Sequence, residues 1–197
     1  MASEYDRTPL EHLYANRIVY LSGDVTTQLA DHVVTRLLVL DSLDHEAEIR
    51  LYISSFGGSV YAGLAIYDAL QMIEAPVSTL CIGPAFSMAA WLLAAGEPGR
   101  RYATPNSRIM IHQATAGILG TTADIKVAEE NILKNEDLMV RILARHTRRT
   151  IEDLRRAIER DRWMTPEEAK EFGLIDAVAP LSERKAAGWP KTEKGAP

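Results

Sequence analysis

Three short runs rich in β-branched and aromatic residues recur about thirty residues apart, and a helical pattern follows each one. The runs are Arg17-Ile18-Val19-Tyr20-Leu21, Glu48 to Ser54 and Val77 to Ile82, and the helical patterns cover Thr26 to Asp41, Ser59 to Glu74 and Ser87 to Ala95. That period accommodates one strand and one crossover helix. It restricts the chain to an α/β fold in which repeated βα units wind a parallel sheet. Leu29, Val33, Leu37 and Leu40 mark the buried face of the first helix by their three- and four-residue spacing. In such folds ligand chemistry gathers where strands meet the following helices, and both Gly57-Gly58 and Ser87 fall at those junctions.

At 197 residues and 47% hydrophobic, the chain suits one compact domain, expected over residues 1–180. A net charge of −5 without a basic block excludes a nucleic-acid surface. The start, Met1-Ala2-Ser3-Glu4-Tyr5-Asp6, is acidic and lacks a signal-peptide core, and no run reaches the roughly 18 apolar residues of a membrane span. Cys81 is the single cysteine, inside an apolar strand pattern, so an internal disulfide is excluded and a small buried hydrophobe is expected. A cytoplasmic protein fits these features. The sequence has no metal-ligand cluster or phosphate loop, so no cofactor and no metal are expected.

The pattern changes after residue 112. Gln113 to Thr121 contains Gly117 and Gly120 and reads as an exposed strand or flexible loop. Thr122 to His146 reads as one helix with a stripe of Ile125, Ala128, Ile132, Met139 and Ile142. At 1.5 Å per residue it spans on the order of 35 Å, which leaves open an ordinary core helix or one that projects from the body. Thr165-Pro166-Glu167-Glu168 is a capping box with proline at the first helical position, and Gly173 suits the stop. A final strand is expected over Leu174 to Ala179 and a disordered tail over 181–197.

Three residues stand in settings suited to the parts of a serine-hydrolase triad. Ser87 follows a small-residue turn, Gly83 to Phe86, at a strand-to-helix elbow; His112 ends the strand Arg108-Ile109-Met110-Ile111; Asp161 sits in Glu159-Arg160-Asp161-Arg162 just after a helix. A serine needs a base to take its proton, and that base needs a carboxylate to fix its tautomer. Taken singly, each has a plainer reading: a turn serine, a half-buried structural histidine, a member of a surface charge cluster. Spacing alone does not join them.

A resemblance does. Ser54-Ser55-Phe56-Gly57-Gly58-Ser59-Val60, the Gly83 to Ala90 segment, Pro105-Asn106-Ser107-Arg108-Ile109-Met110-Ile111-His112-Gln113 and Glu159-Arg160-Asp161-Arg162 together resemble the Clp protease proteolytic subunit (ClpP) from about Arg17 to Val178. The resemblance implies a ClpP/crotonase-like spiral of βα units with a projecting handle over about residues 113–147. It also implies peptide hydrolysis by Ser87, His112 and Asp161, with an oxyanion hole from the backbone N–H groups of Gly58 and Met88. Two stacked seven-membered rings enclosing the sites are implied, together with an AAA+ unfoldase that delivers unfolded polypeptides. The matching positions for the hydrophobic docking cleft are Tyr52, Met72, Leu80, Ile82 and Tyr102.

Several positions depart from the family pattern. Phe56 replaces the proline before the glycine pair, Pro84 replaces glutamine or serine, and Phe86 replaces a small residue directly before Ser87. The aromatic at 86 is expected to reshape the substrate groove or shift the Ser87 rotamer. Arg50 and Thr104 place polar groups in the docking cleft, so reduced or altered unfoldase docking is expected. Only 16 residues precede Arg17, which leaves little for a propeptide and pore loop. These features suggest a divergent paralogue of actinobacterial type, in a ring that is either homomeric or shared with a second ClpP-type subunit. Two other readings remain: a crotonase-type enzyme acting on thioester enolates, and a weakly active or non-catalytic ring subunit.

Overall fold

The computed structural model describes residues 8–114 and 120–180; the expected tail and Gly117 lie outside them. The strands are β1 (Ile18–Ser22), β2 (Ile49–Ser55), β3 (Val77–Phe86), β4 (Arg101–Ala103), β5 (Arg108–Ile111), β6 (Arg162–Met164) and β7 (Ala177–Val178). The helices are α1 (Pro9–Ala15), α2 (Thr27–Leu43), α3 (Val60–Met72), α4 (Met88–Ala94), α5 (Thr122–Thr147), α6 (Ile151–Ile158) and α7 (Pro166–Phe172). The three predicted βα units are present, with Thr26 and Ser59 as N-caps rather than first helical residues.

The sheet runs β1-β2-β3-β4-β7 in parallel, and β3 is the strand that shapes the site. Its first half pairs with β4 from Thr79 to Cys81, and its second half pairs with β5 from Pro84 to Phe86. The predicted turn over Gly83 to Phe86 is therefore strand. Gly-Pro is a turn signal, but here Gly83 takes φ 85° where the ladder changes partner, and Pro84 resumes pairing beyond it. The split admits β5 beside the last residues of β3, and β6 returns antiparallel to β5.

The core lies between this sheet and α2, α3 and α4. Every residue of α4 is buried, and α2 inserts Ala30, Val33, Leu37 and Leu40, with Leu29 only partly covered. Helix α5 is 26 residues long, but its buried residues begin at Met139. Of the predicted stripe's first half, Ile125 is exposed and Ala128 and Ile132 are only partly covered among the described residues. That half of α5 contributes no buried residue, unlike the half from Met139 onward. The Trp91 indole donates to the Met139 carbonyl at 2.9 Å and fixes the second half to α4.

The last strand is two residues long rather than six. Strand β4 offers only three, and the neighbouring backbone is held by side chains instead: the Asp176 carboxylate accepts from the Gly99 and Arg101 amides and from the Arg101 guanidinium. Arg101 also donates to the carbonyls of His146 and Gly173. The capping box at Thr165 and the left-handed stop at Gly173 are as predicted.

His146 sits partly buried against the Tyr67 hydroxyl at 3.1 Å. Burial, together with the Arg101 and Arg145 cations, lowers its pKa to about 4. Between that value and the ordinary histidine value of about 6.5, the unfolded chain binds the proton and the folded chain does not, so stability rises with pH across this window. The midpoint of urea unfolding is expected to fall as pH drops from 6.5 toward 4. His146→Gln should flatten that slope; an unchanged slope would assign the acid sensitivity to other groups.

Candidate active site

Sheet register alone brings the three predicted residues together. Phe86 pairs with Met110, and the Ser87 amide donates to the Met110 carbonyl at 2.8 Å, so the residue two beyond Met110 lies beside the end of β3. That residue is His112. In the antiparallel β5–β6 pair Ile111 lies opposite Arg162, so the next residue outward on each strand brings His112 to Asp161. The Gln113 amide donates to the Ile158 carbonyl at 2.9 Å and holds this end of the strand.

The side chains complete the arrangement. His112 Nε2 is 2.9 Å from Ser87 Oγ, and His112 Nδ1 is 3.2 Å from Asp161 Oδ1. Ser87 has φ 51° and ψ −131°, a strained conformation for a residue with a side chain. It heads α4 without capping that helix, which leaves its hydroxyl to the imidazole. The His112 side chain is 22% exposed and that of Asp161 55%. The carboxylate therefore meets solvent on its outer side in the single chain.

The glycine loop lies directly against this elbow. Gly57 adopts φ 96°, and a Cβ there would stand 2.7 Å from both the Phe86 carbonyl oxygen and Ser87 Cβ. The Val25 amide donates to the Gly57 carbonyl, the Ser59 amide donates to the Val25 carbonyl, and the Gly57 amide donates to Ser55 Oγ. These bonds tie the loop to Val25 and to Ser55. They engage neither the Gly58 amide nor the Met88 amide, the latter being the first of α4, where no intrahelical partner exists.

Phe86 leaves the serine geometry intact. Its ring packs edge-on between Phe56, at 5.4 Å between centroids, and Trp163, at 4.8 Å. The expected shift of the Ser87 rotamer away from the base does not occur, since the 2.9 Å contact is made. Phe56 and Trp163 remain more than half exposed, which gives the site an aromatic flank.

On α5's side, Ser87 and His112 open onto a narrow pocket walled by Val60, Met88, Trp91, Met139 and Ile158, with Glu136 among the lining residues. The Tyr61 hydroxyl accepts from the Asn135 and Asn131 amides at 3.2 and 2.8 Å, which joins the start of α3 to α5; these bonds lower the phenol's pKa. Tyr61 and Glu136 were not selected on sequence grounds. A larger cavity, lined by Arg149, Arg162, Trp163 and Phe172 among others, contains neither Ser87 nor His112. No group of three or more acidic, histidine or cysteine side chains suited to a metal ion occurs among the described residues. Cys81 is buried, and desolvation pushes its thiol up to about 11, so it is not a nucleophile.

Of the positions matched to a docking cleft, Tyr52, Leu80 and Tyr102 form one row across β2, β3 and β4. Ile82 extends that face of β3, whereas Met72, 67% exposed, ends α3. The two polar side chains noted beside this row each have a partner. Arg50 donates to the Asn16 carbonyl at 2.8 Å, and the Thr104 and Ser107 hydroxyls share a 2.7 Å bond.

The sequence matches the Clp protease family over residues 2–181. It is 48% identical over 176 residues to the ATP-dependent Clp protease proteolytic subunit of Deinococcus radiodurans, covering 89% of this chain and 86% of that relative. No helix of the described residues is long and apolar enough to cross a membrane. Because the match spans residues 2–181, which include all the strands and loops that build the serine–histidine–aspartate line, this chain belongs to the Clp protease family of serine peptidases.

Proposed function

We propose that the chain is a serine endopeptidase subunit in which Ser87 is the nucleophile, His112 the general base and then acid, and Asp161 the group that orients His112. The observation that carries this reading is the pair of contacts from Ser87 Oγ through the imidazole to the Asp161 carboxylate. Ser87 Oγ attacks the peptide carbonyl while His112 Nε2 takes its proton, and the oxyanion is received by the Gly58 and Met88 amides. The C–N bond then breaks as His112 returns the proton to the leaving amine. Water, activated by the same imidazole, releases the acyl group from Ser87.

Family membership supports assembly into two stacked seven-membered rings, which restricts access to polypeptides already unfolded by an AAA+ partner. The apolar row of Tyr52, Leu80 and Tyr102, extended by Ile82 and Met72, is the docking surface in this reading. A second ClpP-type subunit in the ring and a cytoplasmic location belong to the same proposal. The crotonase alternative has no support from the family match, and the intact serine–histidine contact favours a competent subunit over a non-catalytic one. Purified rings are expected to cleave unstructured peptides, with activity lost on Ser87→Ala while ring mass is unchanged. Full peptidase activity in that variant would overturn the assignment.

A further inference from the structure

The pocket beside Ser87 contains one carboxylate, at a place where the helix pattern calls for an apolar side chain. The buried stripe of α5 runs back through Leu143, Val140 and Met139, and one turn earlier the same face presents Glu136. Its side chain is 16% exposed. Carboxylates are seldom covered to that extent unless firmly paired.

Glu136 is weakly paired. Arg155 Nη1 approaches its Oε1 only to 3.7 Å, while Nη2 of the same guanidinium lies 2.6 Å from Asp137. Asp137 also accepts from Arg141 Nε at 2.7 Å, so the two arginines make their short contacts to Asp137. Glu136 faces a cavity of about 20 Å³ that opens on Ser87 and His112. An entering side chain must move the methionines Met88 and Met139, whose unbranched thioethers rearrange readily. A long aliphatic stem suits the rest of the lining, and the carboxylate suits a cation at its end.

We propose that Glu136 is a specificity-determining residue that selects by charge the side chain on the acyl side of the scissile bond. It admits lysine and arginine, which an entirely apolar lining would exclude, and it repels aspartate and glutamate. This rests on the reading of Ser87 as the nucleophile, with this pocket taking the acyl-side residue. Electrostatic attraction of an ammonium group at this depth changes discrimination between substrates more than it changes the chemical step.

The test uses assembled full-length protein and fluorogenic peptides that differ only at the acyl-side residue: lysine, norleucine or glutamate. Norleucine keeps the lysine stem and removes the charge. Glu136→Gln is expected to lower the lysine-to-norleucine ratio of kcat/KM at least about tenfold and to raise cleavage of the glutamate peptide, with norleucine within about twofold. A ratio unchanged within twofold would overturn the proposal. Loss of all three substrates together would also overturn it, by giving Glu136 a structural role. The same peptides are bound, by fluorescence anisotropy, to Ser87→Ala with and without Glu136→Gln. That affinity ratio needs no turnover, so it reports on Glu136 even if Ser87 is not the nucleophile.

Discussion

Gly57→Ala is expected to abolish most peptidase activity without unfolding the chain. The added methyl would sit 2.7 Å from the Phe86 carbonyl oxygen and from Ser87 Cβ, and 3.2 Å from the Met88 amide nitrogen. None of these is the end of a flexible side chain, so the loop and the nucleophile must move apart. The backbone must also leave φ 96°, which alanine tolerates poorly. The loop and α4 carry the two proposed oxyanion amides, and loss of one such donor typically costs about 10²–10³ in kcat. A drop of at least that size is expected, with far-UV circular dichroism and ring mass preserved. Activity within threefold of the parent would show that the glycine loop does not set the geometry at Ser87.

Asp161→Asn carries the second large effect. The carboxylate accepts from His112 Nδ1 and so leaves Nε2 free to take the serine proton; an amide can reverse the tautomer while leaving the atoms in place. In serine proteases with a buried aspartate the corresponding change costs about 10⁴ in kcat. Asp161 is 55% exposed, and solvent screens part of its field, so a loss of about 10²–10³ is expected here. The loss should appear in kcat with KM little changed, because the side chain is not among those lining the pocket beside Ser87. A fall of less than about threefold would remove Asp161 from the mechanism.

The parts of the fold that sequence made legible are those with periodicity or a strong local signal. The βα repeat, the α2 stripe, the Thr165 capping box and the long α5 belong to this group. Helix α1 carries the same Thr-Pro-x-Glu signal at Thr8 that marks α7, and a strand-led reading leaves it unassigned. Strands β4 and β6 are three residues each, too short for alternation to show. Pro84 reads as a break because proline lacks an amide, yet the ladder changes partner just before it.

The site divides in the same way. Ser87, His112 and Asp161 were nameable from their local settings and a family resemblance, but their convergence depends on two registers, Phe86 with Met110 and Ile111 with Arg162. Register is a tertiary property that no local window contains. The aromatic substitutions were visible, whereas their edge-on stacking away from the serine hydroxyl was not. Glu136 left a sequence trace as a gap in the α5 stripe between Ile132 and Met139, but only the packed pocket gives that gap a meaning.

The central claim is that this subunit itself holds an activated serine at position 87. The most direct measurement is intact-mass analysis of purified protein after fluorophosphonate treatment, beside Ser87→Ala. The account predicts one covalent adduct per chain in the parent and none in the variant. Failure of the assembled parent to form an adduct, or equal labelling of Ser87→Ala, would contradict it.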